Sequence, residues 1–223
     1  MYGQELNRAD RSEHGLHIAF TGTDGCGKST QTTLLVARLA AAGQPALRAE
    51  AKDDFTNRVV QRLLGDDNPY AARNFLGQRT TDVVRCFDML RDITGIVLPR
   101  TRIGMHVVVP RSVYCRLALA RAFGETDVPA LDRLERLLLS QPPPDLTIWL
   151  DVPVEITMAR LRVRGGGDED PAVMRRFATA LHDLHDRHRF VRVDAAGTVA
   201  EVADQVWAEV EPRLPAHILR GRP

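Results

Sequence analysis

Residues 16–31 read LHIAFTGTDGCGKSTQ and contain the pattern that decides the fold. The apolar run 16–20 predicts a buried strand, and the Leu- and Ala-rich segment after Ser29 predicts a helix that ends near Gly43. Between them, residues 22–29 match the spacing G-x-x-x-x-G-K-[S/T] without a mismatch. A glycine-rich turn that joins a strand to a helix is typical of loops whose backbone N–H groups hold phosphate.

This turn predicts a site for the phosphates of a nucleoside triphosphate. We expect the Lys28 ammonium to reach the β- and γ-phosphates and the Ser29 hydroxyl to bind Mg²⁺. An unrelated glycine-rich turn is the alternative, which the complete motif in its strand-to-helix context disfavours. The residues predicted to bind the triphosphate are Gly22, Thr23, Asp24, Gly25, Cys26, Gly27, Lys28, Ser29 and Thr30.

The composition is that of an ordinary soluble globular chain. Its 223 residues are 44% hydrophobic and 26% charged, and the formal net charge is +1. This balance gives no support for a general nucleic-acid binder, which usually has a basic surplus. No secretory signal and no apolar run of membrane-spanning length is present, and three distant cysteines indicate free thiols. We therefore expect a cytoplasmic protein without a nucleic-acid or membrane partner.

Apolar runs alternate with helical stretches along the rest of the chain. Predicted strands cover residues 16–20, 46–50, 105–110, 146–151 and 190–194. Predicted helices cover residues 55–64, 72–98, 113–123, 131–139, 153–164, a stretch that ends near 188, and 199–210. The strands are continuously apolar, as expected when both faces of a parallel sheet are covered. The pattern predicts an α/β P-loop NTPase fold: a five-stranded parallel sheet with helices on both faces.

The same pattern predicts one domain. We expect a flexible N-terminus over residues 1–14, a single P-loop domain over 15–212, and a C-terminal tail over 213–223. The stretch GGGDEDP, which follows Arg164, predicts a short lid at about residues 165–172, because glycines supply hinges and the acidic tip resists burial.

These motifs resemble the thymidylate kinase family of P-loop nucleoside monophosphate kinases. FTGTDGCGKSTQ resembles the family's FEGxDGxGKST, and PPDLTIWLDVPVEITMARLRVRG at 143–165 is close to PDLTIYLDVPPEVALERIRxRG. FVRVDAAGTVAEV at 190–202 resembles the family's last strand, adenine-side loop and final helix. The resemblance covers about residues 16–210. It implies transfer of the ATP γ-phosphoryl, with Mg²⁺, to dTMP or a related, even modified, nucleoside monophosphate.

The resemblance also assigns acceptor-binding residues. Phe75 and Arg79 match the family's F-x-x-x-R, in which the ring stacks on the acceptor base and the arginine holds its phosphate. Four-residue spacing on one predicted helix would place both on the same face. A core position is the alternative for Phe75, and the resemblance favours the stacking role over it. Arg111 aligns with a second acceptor-site arginine in V-x-x-D-R-Y. Asp24 matches the family's loop aspartate and would either accept an acceptor hydroxyl or brace its own turn.

The arginines before the GGG sequence resemble lid arginines that close over ATP. Arg160 and Arg164 lie four residues apart with Arg162 between them, and the alternative is a solvated basic face paired with the acidic lid residues. Together, the predicted catalytic residues are Lys28, Arg111, Arg160 and Arg164. No general base is expected, because the acceptor phosphate oxygen is already anionic.

Several departures from the family pattern fall at the acceptor and metal end. Pro110 replaces the aspartate of D-R-Y, and Ser112 replaces its tyrosine. Residues 48–54 read RAEAKDD where the family has R-E-P-G-G-T, and Arg116 and Ala120 replace the small polar and amide residues that usually contact thymine. The alternative hypothesis is therefore a catalytically impaired, thymidylate-kinase-like nucleotide-binding protein. Compensation for the lost carboxylate could come from Asp53, Asp54 or Asp151.

Two further features have an alternative each. His182, His185 and His188 are spaced for a metal site, but without a second ligand block a solvated helix face is preferred. Family members commonly form homodimers through long helices, and the apolar stretch 83–98 allows that as well as packing into its own core. The cysteines, including Cys26 in the loop, are expected to be inert.

Overall fold

The structure is a computed structural model that describes residues 14–49, 55–65, 67–68, 71–123, 128–165 and 169–214, without the side chains of residues 79 and 128–131. Within these residues, one sheet contains β1 (His17–Thr21), β2 (Ala46–Arg48), β3 (His106–Val109), β4 (Leu146–Asp151) and β5 (Val191–Asp194). The strand order is β2-β3-β1-β4-β5, and every neighbouring pair is parallel. The predicted five-stranded parallel sheet is confirmed.

The helices follow the predicted alternation with the strands. They are α1 (Lys28–Ala41), α2 (Phe55–Leu64), α3 (Ala71–Leu76), α4 (Gln78–Asp92), α5 (Leu98–Arg102), α6 (Val113–Ala122), α7 (Val128–Leu138), α8 (Val154–Val163), α9 (Pro171–His188) and α10 (Val199–Val210). A π-helical turn (Ile93–Val97) joins α4 to α5, and a short 3₁₀ turn (Glu211–Arg213) follows α10.

Both faces of the sheet are covered, because side chains alternate between the faces along each strand. On β4, Ile148 and Leu150 belong to a buried cluster with Leu35 and Leu39 of α1. Trp149 lies between them and belongs instead to a cluster with Phe177, Leu181 and other residues of α6 and α9. The two clusters form the core on opposite sides of the sheet, as the doubly covered parallel arrangement predicts.

The connections diverge above the carboxyl ends of β1 and β3. The chain leaves β1 toward β2 at one edge, and it leaves β3 toward β4 on the other side of β1. In open α/β sheets, such a change of direction creates the crevice that binds ligands. The loop 22–27 after β1 and residues 110–112 after β3 lie at this point.

The prediction of one continuous helix over residues 72–98 is wrong. Gly77 has φ 79° and ψ 161°, so it separates α3 from α4, and glycine adopts this positive φ without the penalty of a side chain. Beyond the break, the helical path runs on through the π-helical turn and past Pro99, which lies in the first turn of α5. Proline is tolerated there because its missing N–H falls at a helix start.

The predicted lid and termini lie partly outside the described residues. Residues 166–168 of the lid, residues 1–13 and residues 215–223 are not described. At the end of the predicted lid, Asp170 caps α9 by accepting a hydrogen bond from the backbone N–H of Ala172 at 2.8 Å. A search of the described helices finds none long and apolar enough to cross a membrane.

Candidate active site

The loop between β1 and α1 adopts a backbone that requires its glycines. Gly22, Gly25 and Gly27 all have positive φ, at 146°, 83° and 103°. A Cβ atom on Gly22 would lie 2.8 Å from the carbonyl oxygen of Leu150, and one on Gly25 would lie 2.8 Å from that of Thr157. The loop therefore packs tightly on β4 and α8, which leaves its other side for a ligand.

Lys28 begins α1 and folds back over this loop. Its buried Nζ donates to the carbonyl oxygens of Gly22 at 2.9 Å and Thr23 at 2.7 Å, and it lies 3.8 Å from the Asp24 carboxylate. Gly22 and Thr23 thus contribute backbone oxygens that orient Lys28. The side chains of Ser29 and Thr30 are exposed at the first turn of α1, where backbone N–H groups attract anions.

Arg111 connects the end of β3 to the phosphate loop. Its Nη2 donates to Asp24 Oδ1 at 2.7 Å. Burial opposes the charged form, but the Asp24 carboxylate outweighs it and raises the pKa of Arg111 above the usual range. Arg111 is therefore a fixed cation beside the loop, and Asp24 braces it there.

One cavity of about 1290 Å³ extends from the phosphate loop in two directions. At its centre it is lined by residues 24–31 of the loop and α1, by Arg48 of β2, and by Pro110 and Arg111. Toward α8 it reaches Arg160, Arg164, Glu169 and the loop after β5. Toward α4 and α6 it reaches Arg73, Gln78, Asp82, Arg85, Arg116, Leu119 and Phe123. Following the expectation from the resemblance, we name these two ends the donor end and the acceptor end.

At the donor end, the two predicted lid arginines have different surroundings. Arg160 donates to the carbonyl oxygen of Ala195 at 3.2 and 3.1 Å and to that of Ala196 at 3.4 Å, so it ties α8 to the loop after β5. Arg164 follows the last residue of α8, where its backbone N–H donates to the carbonyl oxygens of Arg160 and Leu161, but its side chain makes no hydrogen bond to the described residues. Arg162 is not among the described residues that line the cavity.

The acceptor end contains residues that the sequence motifs did not identify. Gln78, Asp82 and Arg85 line the cavity at helical spacing along α4, and Phe123 lines it just after α6. Gln78 donates to Asp82 at 2.7 Å. Burial raises the pKa of Asp82 although this hydrogen bond and the nearby arginines oppose the shift. The polar stripe on α4 is the signal that could have revealed them.

The structure does not bring Phe75 to this cavity. Phe75 lies on α3 with 55% of its surface exposed, and it is absent from the described lining. Arg79 is on α4, and its side chain lies outside the described part of the structure. The prediction that Phe75 and Arg79 share one helix face is therefore wrong, because Gly77 separates their helices.

Asp151 does not replace the carboxylate that Pro110 lacks. The Asp151 carboxylate accepts hydrogen bonds from Arg192 at 2.8 and 2.6 Å, and it is not part of the described cavity lining. Asp53 and Asp54 lie outside the described residues. The described carboxylates of the cavity are those of Asp24, Asp82 and Glu169.

The three histidines of α9 are partly packed against aromatic rings. His182 contacts Trp149 edge-on, with ring centroids 4.6 Å apart, whereas the half-buried His188 contacts Tyr114 and bonds to Glu135 at 3.1 Å. The solvated face that the sequence favoured is wrong for His188. A search of the described residues finds no group of three His, Cys, Asp or Glu side chains arranged to hold a metal ion.

The three cysteines are free and buried. Burial raises the pKa of Cys26, which keeps this loop thiol protonated despite the nearby Lys28. Burial would also raise the pKa of Cys115, but the charges of Lys28 and Arg111 help to lower it instead. Cys115 Sγ lies 3.0 Å from Thr21 Oγ1.

Comparison with known proteins agrees with this site. A sequence model of the family described as "Thymidylate kinase" matches residues 20–206, which include the phosphate loop and most of the cavity lining. A thymidylate kinase of Synechococcus sp. is 29% identical over 90% of this chain and 96% of its own length. One from Nitrobacter hamburgensis is 31% identical over 90% of both chains, and one from Psychrobacter sp. is 28% identical over 90% of this chain and 99% of its own. The chain therefore belongs to the thymidylate kinase family of ATP-dependent nucleotide kinases.

Proposed function

We propose that this chain transfers the γ-phosphoryl group of ATP to dTMP or a closely related nucleoside monophosphate. The observation that carries the proposal is the continuous cavity, in which the phosphate loop lies between a donor end and an arginine-rich acceptor end. Its volume of about 1290 Å³ exceeds the roughly 300–1,000 Å³ of most small-molecule sites, as expected for two nucleotides held together.

The reaction requires little proton transfer from the protein. An oxygen of the acceptor phosphate forms a bond to the γ-phosphorus while the bond from that phosphorus to the β–γ bridging oxygen breaks, which leaves ADP and a nucleoside diphosphate. The attacking oxygen is already anionic, so the protein's work is to position the two phosphates and stabilise negative charge.

Lys28 and Arg111 are placed to do this from two sides of the reacting groups. The Lys28 ammonium lies against the phosphate loop, where its three donors can exchange a carbonyl partner for a phosphate oxygen. Arg111, held by Asp24, faces the cavity between the two ends and would orient the acceptor phosphate. Asp24 thus acts on the acceptor by fixing this guanidinium.

We assign different roles to the two lid arginines. Arg160 is bound to the carbonyl groups after β5, so it positions that loop at the donor end. Arg164 also lines the cavity, and its side chain makes no hydrogen bond within the described part of the chain, so its donors can reach the triphosphate. Arg164 is therefore our candidate for the direct contact from the lid.

The residues present fit a Mg²⁺ ion that enters with ATP. Mg²⁺ usually keeps several waters and takes few protein ligands besides phosphate oxygens. The exposed Ser29 hydroxyl at the start of α1 would hold it, with the Asp24 carboxylate nearby in the same loop. When bound, the ion neutralises phosphate charge and orients the triphosphate.

The intact loop and the family membership favour an active kinase over an impaired binding protein. The test is acceptor-dependent ADP release with ATP and Mg²⁺, measured for dTMP, dUMP, UMP, dCMP, CMP, AMP and GMP. We expect release with a thymidine-like acceptor, and a loss of at least about 100-fold in Lys28→Met, which keeps the aliphatic stem but removes the charge.

Arg38→Ala provides the matched control for this assay. Arg38 lies on the same helix, α1, but pairs with Asp204 at 2.6 Å outside the cavity. We expect it to retain wild-type turnover. ADP release that is independent of acceptor, or that survives Lys28→Met unchanged, would contradict the proposal.

We also infer that the chain forms a homodimer. In the apolar stretch 83–98, Ile93 and Val97 are buried in the chain's own core, whereas Val83 and Phe87 on α4 are 45% and 54% exposed. An apolar stripe on the neighbouring α2 continues this patch through Phe55, Val59 and Leu63. A second copy of the same patch would cover it.

The test of the dimer is the mass of the particle in solution, measured by light scattering during gel filtration. We expect a dimer for the wild type and a folded monomer for Phe87→Glu, because a charge at the centre of an apolar interface disfavours association. A wild-type monomer at micromolar concentration would contradict the inference.

The free, buried cysteines support a cytosolic location for this enzyme. The balance of 30 basic and 29 acidic residues supports a small-molecule substrate rather than a nucleic acid.

A further inference from the structure

Arg116 faces the acceptor end of the cavity from a helix that is otherwise mostly buried. It lies on one stripe of α6 with Leu119, and this stripe continues to Phe123, so the cavity is lined at positions i, i+3 and i+7. The Arg116 Nε atom is buried and has no hydrogen-bond acceptor among the described residues. A guanidinium has five N–H donors and no acceptor, so a ligand that brings acceptor atoms into the cavity would satisfy it.

The surroundings of Arg116 contain more positive than negative charge. Burial lowers the pKa of Arg116, and the positive charges of Arg111 and Arg85 lower it further. Cys86 and Asp82 oppose this shift, but burial raises the pKa of Cys86 and keeps its thiol uncharged, and Asp82 accepts a hydrogen bond from Gln78. The Asp24 carboxylate is paired with Arg111. The free protein thus holds a cluster of like charges whose repulsion an anion would relieve.

We propose that Arg116, flanked by Arg85 and Arg111, forms an oxyanion subsite that selects the acceptor nucleotide. This inference deepens the proposed function and rests on it. The ligand group is a phosphate or carboxylate, because such oxygens accept the paired N–H donors of a guanidinium. Its source is either the 5′-phosphate of the acceptor or a second anionic group on the sugar or base.

The test compares the affinity of three ligands for the full-length protein by calorimetry. The ligands are dTMP, thymidine 3′,5′-bisphosphate and 5-carboxy-dUMP, each titrated into the wild type, Arg116→Gln and Arg116→Lys. We expect Arg116→Gln to weaken the ligand whose oxyanion it contacts by about 10- to 100-fold, and Arg116→Lys to recover part of this loss.

Arg121→Gln is the matched control on the same helix. Arg121 pairs with Glu135 at 3.4 Å and does not line the cavity, so its removal should change each affinity by less than about twofold. The thermal midpoint of ligand-free Arg116→Gln should equal or exceed that of the wild type, because the substitution relieves repulsion. A residue that served only the fold would instead lower this midpoint.

The pattern of losses identifies the source of the oxyanion. Equal losses for all three ligands assign the subsite to the shared 5′-phosphate, and losses confined to the bisphosphate or to the carboxylate assign it to a second anionic group. Affinities within twofold of the wild type for every ligand would overturn the proposal. So would a loss that is accompanied by a lowered midpoint and is not restored by lysine.

Failure of this inference can be told apart from failure of the proposed function. Calorimetry reports binding without turnover, and ADP release by the wild type is measured in parallel. Binding that depends on Arg116 without turnover of any acceptor would contradict the kinase and leave the subsite standing. If the wild type turns over an acceptor, and Arg116→Gln changes neither the KM nor the affinity for that acceptor, the kinase is supported and the subsite is contradicted.

Discussion

Replacement of Arg111 by alanine is expected to abolish most of the transfer activity while the fold survives. Arg111 is 16% exposed, lines the middle of the cavity and donates to Asp24 at 2.7 Å. In the proposed function, its remaining donors would hold the acceptor phosphate beside the γ-phosphate. The substitution removes a fixed cation from this region without removing apolar core.

The substitution should reduce activity much more than stability. The activity depends on the grip of Arg111 on phosphate inside the cavity, whereas the stability depends on its ion pair with the partly exposed Asp24. Hydrogen bonds to charged groups contribute about 1.5–3 kcal/mol each, so loss of a two-pronged grip on phosphate costs about 3 kcal/mol or more, which is at least about 100-fold in kcat/KM. Asp24 is 35% exposed and keeps Lys28 at 3.8 Å. Its lost ion pair therefore costs at most about 1 kcal/mol of stability, or roughly 2–4 °C in the thermal midpoint.

The measurement is acceptor-dependent ADP release together with a thermal unfolding scan. Arg38→Ala breaks an exposed Arg–Asp pair of 2.6 Å outside the cavity, so it should lower the midpoint equally little and leave kcat/KM intact. Arg111→Lys keeps the charge but not the fork, and we expect partial activity. A loss of less than about threefold in Arg111→Ala would refute the reasoning, as would unfolding of the variant at room temperature.

Three further predictions follow from the fold and the donor end. Gly25→Ala should destabilise the protein by about 1–2 kcal/mol and weaken ATP binding, since residue 25 has φ 83° and an added Cβ would lie 2.8 Å from the Thr157 carbonyl; an unchanged unfolding midpoint would contradict this. Arg160→Ala should raise the KM for ATP and leave the KM for the acceptor unchanged, because the partners of Arg160 are the carbonyl groups of Ala195 and Ala196 at the donor end. A selective change in the KM for the acceptor would count against this role. Burial lowers the pKa of His17 to about 4, so the unfolded chain binds more protons between pH 6.5 and 4. As the pH is lowered through that window, the free energy of unfolding, measured in urea, should therefore decrease. At pH 5 the decrease from its value at neutral pH should be about 2 kcal/mol from His17 alone, and a flat profile would disprove this.

Strands and capped helices could be predicted from the sequence because local signals determine them. β4 (Leu146–Asp151) has the predicted bounds because its continuous apolar run follows closely after three prolines. α10 (Val199–Val210) also has the predicted bounds, because Thr198 and Glu201 form a capping box at its start. The phosphate loop was equally predictable. Its glycines and Lys28 act through backbone geometry that the motif itself encodes.

The acceptor end was less predictable, because the polar stripe of α4 is visible in the sequence but tertiary packing determines what that stripe faces. Gly77 breaks the helix through its φ of 79°, and no described atom lies within 4 Å of a Cβ added there. The sequence around a glycine in a helical pattern does not show whether it breaks the helix or continues it. The placement of Asp82 and Arg85 depends on how α4 lies against α6, and the carbonyl partners of Arg160 lie 35 and 36 residues away in sequence. The resemblance identified Arg111, Arg160 and Arg164 but not Arg85, and the roles that we propose for them rest on their structural neighbours.

The fate of the γ-phosphoryl group tests the central claim most directly. The full-length protein is incubated with Mg²⁺, dTMP and ATP labelled in the γ-phosphate, and the products are separated. We predict that the label appears in dTDP in equal amount with ADP, and that it does so only when acceptor is present. Label that stays in ATP, or that appears only as inorganic phosphate whether or not dTMP is added, would contradict the assignment of this chain as a kinase acting on dTMP.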